Sequence, residues 1–73
     1  MKTIRFRRVE SFSLVNNSLD IKFANNTLAR KAVINILSNV DVTIVKIQNI
    51  VTICDTDIAD IYSNEYGLFI VFK

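Results

Sequence analysis

Arg5 and Arg7 stand two residues apart in the opening stretch KTIRFRR, residues 2–8. On an extended strand that spacing sets both guanidinium groups on one face, about 7 Å apart. Two cations so placed match neighbouring phosphates on a nucleic-acid strand. Arg8 is out of phase with them, and Arg30 and Lys31 add two more cations farther along. No aromatic residue interleaves on the Arg5/Arg7 face, because Phe6 shares the opposite parity with Ile4. The stacking platform of a single-strand binder is therefore absent from this strand. Tyr62 and Tyr66 have the rings to stack a base, but they lie in the acidic half of the chain. The favoured reading of Arg5 and Arg7 is an edge strand guarded by cations against strand addition, with phosphate contact second.

Other chemistry has few residues to work with. The chain has no His, so the commonest general base and metal ligand is missing. Its single cysteine, Cys54, has no His or second Cys to activate it and reads as a small buried hydrophobe or a half-exposed strand residue. One glycine excludes the Gly-rich loops that cradle phosphates. Asp55, Asp57 and Asp60 superficially resemble the opening of a calcium loop, but the sixth and twelfth positions hold Asp60 and Tyr66 instead of Gly and Glu. Asp55, Thr56 and Asp57 more simply cap a short helical turn. No enzyme, metal, cofactor or small-molecule substrate is expected.

The formal net charge of +2 conceals an uneven layout. Residues 1–40 hold seven Lys or Arg against two carboxylates, and residues 41–73 hold two against five. Such halves steer one region toward a polyanion, or two copies toward each other, with Asp57 and Asp60 meeting Arg30 or Lys31 of a neighbour. No run approaches the roughly 18–20 apolar residues that span a bilayer, and no apolar segment follows the basic N-terminus as in a signal peptide. A cytoplasmic protein is expected. Its small size and bias toward Asn, Ile and Lys suggest a phage, plasmid or other mobile-element product, an inhibitor of a host system.

These residues must be positioned by a single domain of 73 residues, near the lower limit for folding without staples. Pro is absent and Gly occurs once, so Asn must supply the tight turns. In SFSLVNNSLDIKFA, a two-residue turn at Asn16-Asn17 sets Leu14 opposite Leu19 and Phe12 opposite Ile21, with Ser13/Asp20 and Ser11/Lys22 on the other face. Turn chemistry and period thus select one register. The strand before it either runs back through Arg8 into TIRF by a bulge or is preceded by a separate short strand.

The stretch NNTLARKAVINILSNV offers three N-caps, Asn25, Asn26 and Thr27. A stripe at helical spacing follows: Leu28, Ala29, Ala32, Val33, Ile36, Leu37 and Val40. Arg30, Lys31 and Ile34 fall on the opposite side. VTIVKIQNIVTIC is apolar on both parities, as one strand buried on both faces or as a hairpin near Gln48-Asn49. DTDIADIYSNEY reads as a helical turn or a short strand, and GLFIVFK as a central strand.

The expected fold is α+β: one amphipathic helix on a small antiparallel or mixed sheet, in ββαβ(β)β order, forming a homodimer or larger closed oligomer. The expected function is non-enzymatic binding of another macromolecule through Arg5, Arg7, Arg30, Lys31 and Ile34. A protein partner is favoured; a nucleic-acid regulator that uses the same cations on phosphate is the alternative.

Overall fold

The computed structural model describes all 73 residues. Seven strands and one helix follow one another: β1 (Lys2–Phe6), β2 (Val9–Val15), β3 (Ser18–Phe23), α1 (Asn26–Asn39), β4 (Ile44–Ile47), β5 (Ile50–Cys54), β6 (Ile58–Asn64) and β7 (Gly67–Phe72). The fold is α+β, with one more strand on each side of the helix than ββαβ(β)β. The strands form two antiparallel sheets, β1-β7-β6 and β2-β3-β5-β4. Helix α1 packs on β3, β4 and β5 and also reaches β1.

Local chemistry explains most of these elements. Asn16 and Asn17 both adopt positive φ, 51° and 65°, the turn that matches the twist of a two-residue hairpin. The pairs that follow are Val15–Ser18, Leu14–Leu19, Ser13–Asp20, Phe12–Ile21 and Ser11–Lys22, the register that the sequence selects. The opening strand is separate: Arg8, at φ 58°, turns the chain between β1 and β2 and carries it from one sheet to the other. A single 3₁₀ turn at Asp55–Asp57 makes the matching corner between β5 and β6, and none of its side chains caps it.

Asn25 caps α1, its Oδ1 accepting from the Leu28 amide at 2.9 Å. That bond satisfies one of the orphan donors of the first turn. Asn25→Ala is expected to cost about 1 kcal/mol, which lowers the melting temperature by roughly 4–8 °C in a domain of this size. A thermal melt followed by circular dichroism measures it; an unchanged midpoint contradicts the cap.

Thirteen apolar residues form one core, and the central strands β3, β5 and β7 supply eight of them: Leu19, Ile21, Phe23, Val51, Ile53, Leu68, Ile70 and Phe72. The last strand is thus central, as its apolar pattern implies. Ile4, Phe6, Ala29, Ala32 and Ile36 complete the core, the two alanines letting the helix lie close to the strands. Phe6 meets Phe23 edge to face at 6.0 Å and so ties β1 to the larger sheet.

Of the two readings of VTIVKIQNIVTIC, the hairpin holds, with β4 and β5 turning at Gln48-Asn49. Two expectations are corrected. The segment is buried on one face only: Val51 and Ile53 are in the core, while Val45, Ile47 and Ile50 are exposed. Leu37 does not lie under the helix but is 54% exposed on its flank.

Candidate anion groove and aromatic row

The site begins with β1, an edge strand whose Ile4 and Phe6 point into the core and anchor it. That anchoring turns Arg5 to the opposite face, and Arg7 follows in the bend beyond the strand. Helix α1 passes alongside. Lys31 and Asn35 stand on the flank next to β1, one turn apart.

A groove of about 230 Å³ lies between strand end and helix. Arg5, Arg7 and Lys31 line it with Asn35, over an apolar floor of Phe6, Phe23, Leu28 and Ala32. It contains no carboxylate. The one ion pair in the molecule is elsewhere, Lys22 to Glu10 at 3.7 Å, so the three cations line the groove with no acid within 4 Å. Folding has gathered like charges here, which is unfavourable by itself and attracts an anion.

Of the five residues singled out in the sequence, then, the structure brings Arg5, Arg7 and Lys31 together. Arg30 and Ile34 are not with them. Lys31 and Asn35 turn toward β1, whereas Arg30 shares the other flank with Asn26, which receives a hydrogen bond from Lys46 on β4. Ile34 is 60% exposed between the flanks. Two neighbours in sequence, Arg30 and Lys31, are separated by the 100° step of the helix.

The structure also supplies what β1 lacks. Antiparallel pairing sets Arg5 opposite Phe69 on β7, and Phe69 opposite Tyr62 on β6. Paired residues share a face. One row therefore crosses the outer face of the small sheet: cation, aromatic, aromatic. The Tyr62 and Phe69 rings are stacked, with centroids 5.0 Å apart and planes within 8° of parallel. The Arg face of β1 has no aromatic of its own, Phe6 pointing into the core; the rings come from strands more than fifty residues away. Tyr66 lies in the turn between β6 and β7, outside the row.

The remaining candidates stay apart. Asp55 and Asp57 sit in the 3₁₀ turn, and Asp60 on β6 accepts from the Ile61 amide. No group of three or more His, Cys, Asp or Glu side chains converges to hold a metal ion. Cys54 is exposed at the end of β5, its Sγ 3.1 Å from Thr56 Oγ1. The largest hollow, about 460 Å³ between β2 and the β6–β7 turn, carries Arg8 with the carboxylates Glu10 and Glu65 and so does not favour an anion. No helix is long and apolar enough to cross a membrane. No family model matches the chain, and neither a curated protein nor a solved structure does.

Proposed function

We infer that the chain is a small non-enzymatic binding module whose groove between β1 and α1 takes the phosphates of a nucleic acid. The observation that carries this reading is the convergence of Arg5, Arg7 and Lys31, from two separate elements, on a groove without a carboxylate. Arg side chains fork onto phosphate oxygens and Lys adds a point charge. The groove offers charge and an amide, with no thiol, hydroxyl or carboxylate to move a proton. Such a partner suits a cytoplasmic site of action.

The test is anisotropy of labelled random-sequence DNA and RNA titrated with the protein at 50 and 200 mM salt. Three phosphate contacts give a log–log slope of about −2 on single strands and −3 on duplex, hence weakening on the order of 20- to 40-fold between the two conditions. No binding at 50 mM salt retires the reading.

One observation favours a protein partner, in the form of a second copy. β4 is an open sheet edge, and Val45, Ile47 and Ile50 form an exposed apolar group beside it, on the face of the sheet away from the helix. A strand added to such an edge gains backbone hydrogen bonds and buries those side chains. Light scattering over a dilution series distinguishes this dimer from a monomer that binds nucleic acid.

A further inference from the structure

We propose that the outer face of the β1-β7-β6 sheet binds an unpaired base of a single-stranded nucleic acid, stacked on the Tyr62–Phe69 pair while Arg5 holds a phosphate of the same strand. The proposal rests on reading the groove as a phosphate site, and it names the kind of nucleic acid that the site selects.

Three observations lead to it. Arg5 belongs both to the groove and to the cross-strand row Arg5–Phe69–Tyr62, so the cations and the rings form one continuous surface. The rings are already parallel, and Tyr62 is 44% exposed. Because β6 is the edge of its sheet, no further strand covers the side of Tyr62 that faces away from Phe69. An aromatic face left open at an edge extends its stack with any base, whatever the sequence, since every base has a π-face.

Charge sets the direction of the strand. Arg5, Arg7 and Lys31 lie at the β1 side, whereas Asp60 lies on β6, on the same face as Tyr62. Phosphate is drawn to the first and repelled by the second, so the backbone enters over the groove and the base points toward β6. Arg5 and Tyr62 are two strand spacings apart, about 10 Å, and the base lies one ring farther, on the far side of Tyr62, a span that more than one nucleotide of an extended single strand bridges. A duplex keeps its bases stacked inside and offers only phosphates to this surface.

The test compares three ligands of equal length: an intact random-sequence single strand, an abasic single strand with the same phosphates, and a duplex. The intact strand is expected to bind about tenfold tighter than the abasic one, within the range that one stacked base supplies. Tyr62→Leu should remove that tenfold difference and leave abasic binding unchanged; Tyr62→Phe should retain it. If Tyr62→Leu does not fold, the Tyr66→Phe chain, with Tyr62 as its sole tyrosine and no Trp present, gives a second readout. Its emission should be quenched by the intact strand and not by the abasic one.

Equal affinity for intact and abasic strands, or quenching by both, overturns the stacking site while leaving the phosphate groove standing. Absence of binding to all three ligands overturns the groove and the stacking site together.

Discussion

A chain with Arg5, Arg7 and Lys31 all replaced by Ala binds random-sequence nucleic acid on the order of 100-fold more weakly than the native chain. Each cation is exposed, so each phosphate contact is screened and contributes about 1 kcal/mol, the upper end for exposed charge pairs. Three such contacts make about 3 kcal/mol, or somewhat over 100-fold in affinity. The salt dependence should collapse with the affinity, its log–log slope moving from about −2 to near zero on a single strand. Stability should not suffer, because none of the three has a carboxylate partner to lose and their removal relieves mutual repulsion.

Arg30→Ala is the control. It deletes the same charge from the same helix on the flank away from the groove, and its effect should stay within about twofold, as expected for long-range electrostatics at physiological ionic strength. If Arg30→Ala weakens binding as much as Lys31→Ala, net charge and not the groove drives association. If the triple variant binds like the native chain, the groove has no role.

How much of this was legible in the sequence depended on whether a feature was set locally. The β2–β3 register was, because the Asn16-Asn17 turn and the alternation of Phe12, Leu14, Leu19 and Ile21 each demand it. Helix α1 was equally legible, since a fourteen-residue stripe has only one face to bury. Leu37 was misplaced because periodicity gives the direction of a stripe but not how wide a partner covers it.

The hairpin at 44–53 shows a different limit. Ile44 pairs with Ile53 and Ile47 with Ile50, so partners have opposite parity. Counted straight through the turn, a one-faced hairpin reads as a two-faced strand. Once the turn at Gln48, with φ 52°, is known, Val45, Ile47 and Ile50 fall together on the outer face.

The candidate site was half legible for the same reason. Arg5 and Arg7 were visible as neighbours, although the expected shared strand face fails for Arg7, because β1 ends at Phe6 and Arg7 lies in the bend. Lys31 joined them only through the packing of α1 beside β1, and Phe69 and Tyr62 only through the pairing of the two ends of the chain. No local pattern specifies which strand sits beside β1. Pairings between residues so far apart are fixed by burial of the whole core, here by Ile4 and Phe6 meeting Ile70 and Leu68.

Gly67→Ala is expected to unfold much of the population at temperatures where the native chain is folded. Gly67 opens β7 at φ +132°, a backbone conformation that a side chain strains by about 1–3 kcal/mol. Space is the harder constraint. A Cβ at this position would stand 2.5 Å from the Phe6 carbonyl oxygen, and backbone of an anchored strand cannot swing aside as a flexible side chain can. To make room, β1 must shift from β7, loosening Phe6, which is 3% exposed, and its edge contact with Phe23.

Strain and lost packing together amount to roughly 3 kcal/mol or more, against the few kcal/mol that a domain this small commands. The melting temperature should fall by about 12–24 °C, read by circular dichroism. Arg5 moves with the strand, being the residue before Phe6, although its own Cγ would make only ordinary contact with the new Cβ at 3.5 Å. Any folded fraction should therefore bind nucleic acid more weakly than the native chain even at low temperature, since the displaced strand carries the guanidinium out of line with Lys31. A variant that melts with the native chain would mean that β1 yields freely at this point, and an aligned Arg5–Phe69–Tyr62 row depends on its not yielding.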